Sequence, residues 1–383
     1  IHSHNNLQTR YHQIIPLSEK MRRARKQPWE DISQNPGVIA SLKLLPSNYE
    51  FEIAKTLWKI LSLNATVVAL QFPEGLLMYS CIISDIIRRF TGCRVIILSD
   101  VTYGACCIDD YTAKKLGADC LIHYGHSCLV PISSTCVKTL YVFVEIHFST
   151  EHLLKTLQEN FPASAKISVL GTVQFIKAVQ DVKVRTSDYF ARVDVPQVKP
   201  LSQGETLGCT SPLLPTDTDY MIFIADGRFH MESAMIRNPH IKSYRYDPYS
   251  KKMSIEKYDT EKMLQIRSSM VQKARSAKVF GVVLGTLGHQ GNVSILQRLK
   301  SLLKSKGKVA ITFLMSELFP KKLKMISTVE VWIQIACPRL SIDWGLEYDR
   351  VILTPYEAMV ALDEASWQPV YPMDYYSNEK SPW

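Results

Sequence analysis

No stretch of 18 or more apolar residues occurs anywhere in the chain, so it offers no candidate for a membrane-spanning helix. The first 20 residues, Ile1 to Lys20, are polar and lack a secretory apolar region. Because the chain begins with Ile1 rather than Met, a fragment missing its true start is expected. There is no CxxC pair and no HxxxH pair, the ligand spacings of common zinc sites. The nine cysteines are an odd number without regular spacing, which argues against an extracellular disulfide framework. A reduced, intracellular setting fits better, and the expected location is cytoplasmic, extending to the nucleus. Acidic residues are in deficit, 36 against 45 Lys and Arg, for a net charge of +9. Attraction to nucleic acid or to an acidic partner is one reading of that excess. A solvated basic tail is the better one, since Met21–Lys26 alone supplies four positive charges without interleaved aromatics. No direct nucleic-acid contact is expected.

What remains is ordinary globular composition, 46% hydrophobic and 21% charged. At ~100–200 residues per domain the chain is long enough for two or three units with buried cores. Thr66–Phe72 is a short β-branched run closed by Pro73-Glu-Gly75. Leu76, Tyr79, Ile82, Ile83, Ile86 and Phe90 then recur at helical spacing. Arg94–Leu98 reads as the next strand. The same grammar repeats with strands expected at Cys120–Tyr124, Leu140–Ile146, Ile167–Leu170, Met221–Ala225, Val279–Gly285, Val309–Leu314 and Val331–Ala336. Helices are expected between them, including Ile255–Lys278 and Val293–Lys306. Apolar strands alternating with helices indicate an α/β protein with mainly parallel sheets covered on both faces. Three such units are expected, over 40–136, 137–215 and 216–365. A polar lead-in (1–39) and a C-terminal tail (366–383) flank them.

The cysteines divide by position. Cys81 falls in a helix, and Cys93 and Cys120 fall in apolar strands, so these three read as core residues. Cys128 and Cys136 flank a short Pro-Ile-Ser-Ser loop and stay ambiguous. A zinc site from Cys120, His123, His126 and Cys128 is disfavoured, because Cys120 and His123 point to opposite faces of one strand. Cys106, Cys209 and Cys337 lie just past or between strands in three different units. Such sheets place functional groups there. Three independent loop thiols are the plain alternative. Thiolates are preferred ligands of iron–sulfur clusters, usually four per cluster, so three would leave one iron open to a substrate.

Several stretches at and around these residues resemble the family of eukaryotic enzymes that begin diphthamide synthesis. They include Phe72-Pro-Glu-Gly-Leu76, Asp100–Asp109, His123-Tyr-Gly-His-Ser-Cys128, Gly208-Cys-Thr-Ser-Pro212 and Asp226-Gly-Arg-Phe-His230. Tyr244–Tyr249, Gly285-Thr-Leu-Gly288 and Ala336–Gly345 continue the set in order. The resemblance implies three similar α/β domains, each giving one cysteine to a [4Fe–4S] cluster: Cys106, Cys209 and Cys337. Cys107 stands beside the first as an alternative ligand. It further implies S-adenosylmethionine as co-substrate, and radical transfer of its 3-amino-3-carboxypropyl group to C2 of a histidine in translation elongation factor 2. A related second subunit and a small iron-protein electron donor are the implied partners. The clustered Cys-x3-Cys-x2-Cys motif of the usual radical enzymes of that co-substrate is absent. His289 stands where Arg is expected in the glycine-rich loop. Residues contacting the co-substrate stay unassigned, although the Asp226–His230 and Gly285–Gly288 loops are candidates to line its pocket. His123 and His126 read as packing or supporting groups. A non-catalytic scaffold subunit and a basic RNA-associated α/β protein without a cluster are the competing functions.

Overall fold

The computed structural model describes residues 27–100 and 103–373, so the basic run Met21–Lys26 lies outside the described residues. The first unit carries β1 (Tyr49–Glu50), β2 (Val67–Gln71), β3 (Arg94–Ile97), β4 (Cys120–Tyr124), β5 (Lys138–Val142) and β6 (Glu145–Ile146). Its main sheet has the order β3-β2-β4-β5 and is parallel throughout, while β1 and β6 form a separate antiparallel pair. The second unit has β7 (Lys166–Gly171), β8 (Arg192–Asp194), β9 (Tyr220–Ile224), β10 (Lys242–Asp247) and β11 (Lys252–Glu256), ordered β8-β7-β9-β10-β11. Only its last pairing, β10 with β11, is antiparallel. The third unit is the parallel sheet β13-β12-β14-β15, built from β12 (Val279–Gly285), β13 (Val309–Met315), β14 (Val331–Ile335) and β15 (Ile352–Leu353).

All three main sheets therefore share the strand order second, first, third, fourth, and the second unit adds a fifth strand, β11, at its far edge. A local bond repeats with them. Just before the third strand of each unit, an acidic side chain reaches back to the backbone at the start of the first. Asp119 accepts from the N–H of Thr66 at 2.7 Å and Val67 at 3.0 Å. Asp219 accepts from Lys166 N–H at 2.8 Å, and Glu330 accepts from Lys278 N–H at 2.6 Å. The sequence separations are 53, 53 and 52 residues. These N–H donors hold the Asp119 and Glu330 carboxyls below their ordinary range, because a bonded carboxylate resists protonation.

Each main sheet has apolar clusters on both faces, as parallel sheets require. Every residue of β4 and β14 is buried. Fully burying a Val, Leu or Ile side chain contributes roughly 1.5–3 kcal/mol. The central strands thus supply much of the stability, and the loops at their ends are released to form a site.

Several elements differ from their sequence-based expectation. Of the expected helix Ile255–Lys278, the first two residues close β11 and the helix itself runs over Thr260–Ala274, where the cap Asp259 accepts from Lys262 N–H. The run Leu140–Ile146 is two strands, broken at Val144 with φ of 55°. The expected boundaries at 136/137 and 215/216 both fall within a sheet, because β5 pairs with β4 and β9 pairs directly with β7. Hydrophobic pattern marks strands but does not say which of them pair. Within the expected lead-in, the helices Glu30–Ser33 and Pro36–Leu42 bury Ile32 and Val38 in the first core. Within the expected tail, Tyr371 and Met373 are buried in the third core. Cys81 is exposed rather than core, since the helix Ser80–Thr91 turns its Ile83, Ile86 and Ile87 face inward instead.

A cysteine pocket shared by three units

Cys106, Cys209 and Cys337 line a single cavity of about 780 Å³. Cys106 lies on the connection from the second to the third strand of its unit, and so does Cys209. Cys337 lies one residue beyond the end of β14, at the N-cap position of the helix Pro338–Trp344. The third unit also contributes the turns after β12 and β13, so three of its carboxyl-end loops face the cavity. That is where parallel sheets place ligands.

Each cysteine loop is held from a neighbouring element. Buried Gln71 on β2 donates to the carbonyl of Cys107 at 2.9 Å and accepts from Asp109 N–H at 3.1 Å. Buried Gln334 on β14 plays the corresponding part for Cys337, donating to its carbonyl at 2.9 Å and accepting from Ala336 N–H at 3.0 Å. The turn around Cys209 is closed by Leu207 N–H donating to the carbonyl of Thr210 at 2.8 Å. A small cluster of Ala105, Leu129, Val198, Leu201 and Leu207 packs the first unit against the second beside Cys106.

The third unit docks on the first through Gly288 and His289. His289 N–H donates to the carbonyl of Cys106 at 2.8 Å. Its ring pairs with fully buried Asp110 at 2.8 Å and stacks on Tyr111. Gly288 has φ of +54°, and a Cβ there would lie 2.6 Å from the Cys106 carbonyl oxygen. Only glycine permits that backbone and that approach without strain.

Electrostatics favour the protonated form of the Cys106 and Cys337 thiols. Burial, and then the nearby Cys106, push Cys337 up to about 11. Cys106 and Cys107 lie with sulfurs 3.9 Å apart, and the Cys107 neighbour and burial drive Cys106 well up. Cys107 ionises first, because the Cys106 thiol can donate to its thiolate. A buried protonated thiol is a poor nucleophile, but it becomes a ligand once a metal displaces its proton.

Other expected residues separate clearly. Phe229 and His230 from one candidate loop and Leu287 from the other do line the cavity. Burial, then His126, lower His230 to about 4. His123 is fully buried, with Nδ1 at 2.9 Å from Gln71 Oε1, and it supports the cysteine loop rather than facing the cavity. The sequence reading did not single out Arg339, Gln71 or Gln334. Arg339 stood within the quoted Ala336–Gly345 stretch, but nothing local marked it apart from its neighbour Cys337.

Residues 72–372 match the family described as "Putative diphthamide synthesis protein". The chain belongs to the diphthamide synthesis protein family. Among its relatives, 2-(3-amino-3-carboxypropyl)histidine synthase subunit 1 of Dictyostelium discoideum is 53% identical over 368 residues, covering 94% of this chain and 78% of that protein. The human protein of the same name is 50% identical over 356 residues, covering 92% of this chain and 81% of its own length. Among solved structures, Dph2 from Pyrococcus horikoshii with a 4Fe-4S cluster matches with a TM-score of 0.72 at 27% identity, covering 86% of this chain and 94% of that one. This family member thus shares its fold with a cluster-bearing protein, and its relatives carry the name of a biosynthetic enzyme. Among the described residues, no helix is long and apolar enough to cross a membrane.

Proposed function

We propose that this chain is the catalytic subunit of the first step of diphthamide synthesis, with Cys106, Cys209 and Cys337 holding a [4Fe–4S] cluster. The observation that carries the reading is the convergence of thiols from all three units on a single cavity, which Cys107 lines beside Cys106. Among the described residues, no three His, Cys, Asp or Glu groups stand close enough to hold one metal ion. Thiols spread around a cavity instead suit a polynuclear centre whose irons each take one thiolate. A cluster held by Cys106, Cys209 and Cys337 would supply one electron for cleavage of the Cγ–S bond of S-adenosylmethionine.

The chain's own part is to bind, orient and keep water out. On binding iron the thiols would release their protons to solvent, and Gln71 and Gln334 fix the carbonyls of two cysteine loops. Leu129, Leu207, Leu287 and Leu340 give the cavity an apolar wall, which protects a reactive carbon group from solvent. The acceptor is C2 of a histidine in translation elongation factor 2, and a related second subunit and a small iron-protein donor complete the system. The proposed location is the cytoplasm, extending to the nucleus.

Anaerobic reconstitution with iron and sulfide tests the reading. The expected result is four irons per chain, lost on Cys106→Ala, Cys209→Ala or Cys337→Ala and unaffected by Cys81→Ala. Transfer of labelled 3-amino-3-carboxypropyl to elongation factor 2 should fail in the same three variants. A triple variant that retained both cluster and transfer would overturn the proposal. The scaffold alternative predicts that the cluster forms while these substitutions leave transfer unchanged in the assembled enzyme.

A further inference from the structure

We infer that Arg339 is a positioning residue that fixes the Cys209 loop relative to Cys337 across the boundary between the second and third units. The inference rests on the cluster reading above and names a part of that site. Arg339 lies two residues after Cys337, and its side chain is 4% exposed. Its Nη1 donates to the carbonyl of Gly208, the residue before Cys209, at 3.2 Å, and to the carbonyl of Phe229 at 2.9 Å. Nη2 donates to Glu232 at 2.5 Å, and Nε donates to Asp343 at 2.8 Å. The guanidinium also stacks over the Phe229 ring at 4.3 Å. That ring in turn rests on Gly208, where a Cβ would come 2.1 Å from Phe229 Cε1. Arg339, Phe229 and Gly208 therefore form one stack behind Cys209.

Geometry and charge both separate this role from ligand binding. An arginine has five N–H donors, and these contacts commit four of them to the protein. Its charge is matched by two carboxylates, Glu232 and Asp343. Little is left for an anionic substrate. The forked contact has no lysine equivalent, since a single ammonium cannot hold two carbonyls and two carboxylates in one plane. A polynuclear centre tolerates only small changes in ligand spacing. Partners that orient metal ligands typically govern metal affinity by roughly 10–100-fold.

Two measurements on Arg339→Lys test the inference. In the metal-free full-length chain, a short bis-maleimide should join Cys209 to Cys337, scored by mass spectrometry of the linked peptides. The variant should give a clearly lower yield while its melting temperature shifts by only about 2–4 °C. In the reconstituted protein, iron loss to a chelator should be about tenfold faster than in wild type, and the electron paramagnetic resonance spectrum of the reduced cluster should shift. Wild-type cross-linking and a wild-type spectrum in the variant would overturn the inference. If wild type takes up no iron, the cluster reading fails while the cross-link still decides the role of Arg339. If Arg339→Lys does not fold, Phe229→Leu, which removes the stacked ring alone, must lower the cross-link yield in the same way. An unchanged yield there sinks the inference too.

Discussion

Arg267, inside the third unit, and Arg339, beside the cysteine pocket, are both closed off from solvent, with side chains 1% and 4% exposed. Arg267 grips Glu357 with two bonds of 2.6 Å and donates to the carbonyls of Ser341 and Ile352 at 2.7 Å each. Glu357 is further satisfied by the Tyr371 hydroxyl and the Thr354 N–H. Every one of these partners belongs to the third unit. The partners of Arg339 are divided, with Gly208, Phe229 and Glu232 in the second unit and Asp343 in its own. The same side chain thus does two jobs. Contacts confined to one unit hold that unit together, while contacts spread over two units set the distance between their loops.

The comparison can be broken most forcefully at Arg267. Arg267→Met strands the Glu357 carboxylate in the core and should cost about 3–5 kcal/mol in chemical denaturation. Arg267→Met with Glu357→Met should recover much of that loss, because the uncompensated charge is gone. A single variant close to wild type in stability would refute the assignment of Arg267 to the fold.

A smaller effect is expected at the other seam between units. Gly288→Ala forces a left-handed residue and a close backbone contact, with a cost on the order of 1–3 kcal/mol. Because the obstacle is the Cys106–Cys107 backbone, iron retention should fall more sharply than the melting temperature. Equal loss of both would mean that the loop only stabilises.

Acid should act mainly through the buried histidines near the pocket. Burial lowers His126 to about 4, and burial with the nearby His126 lowers His230 to about 4, from an ordinary 6.5. Between those values the unfolded chain binds protons that the folded chain refuses. Stability is therefore full above about pH 6.5 and falls as the pH drops towards 4, by at most about 1.4 kcal/mol per pH unit for each proton. Denaturation series across that window should show the slope, and His126→Gln should flatten it. An identical slope in His126→Gln would remove that residue from the account.

Arg339→Lys should change folding stability by only about 1 kcal/mol, against its larger effect on iron retention. Cys81→Ser should do least, within about 0.5 kcal/mol. Its thiol should also be alkylated before those of Cys93 and Cys120, which are buried.

How much of this was legible beforehand follows from what each feature depends on. β4 and β14 are mainly apolar runs, interrupted once each by His123 and Gln334, and their apolar residues announce them. β10 and β11 carry Lys, Arg, Asp and Glu, lie towards one edge of their sheet, and give no such signal. The three cysteines could be singled out by their places after or between strands. Their meeting in one cavity is a property of the fold, which no local pattern encodes. Arg339 was beyond reach, since its cross-unit partners lie 107 to 131 residues away and nothing near it in sequence refers to them.

The acidic hooks Asp119, Asp219 and Glu330 bear on how such a chain can be altered. They clasp the amino ends of the first strands, the side of each sheet opposite the cysteine loops of the first and third units. Each unit is thus buckled at one end by a bond separate from those that hold the cysteine loops at the other. Loops at that other end can be exchanged or lengthened without touching the buckle. A protein engineer grafting a different ligand set onto this scaffold would leave those three carboxylates alone and rewrite everything across from them.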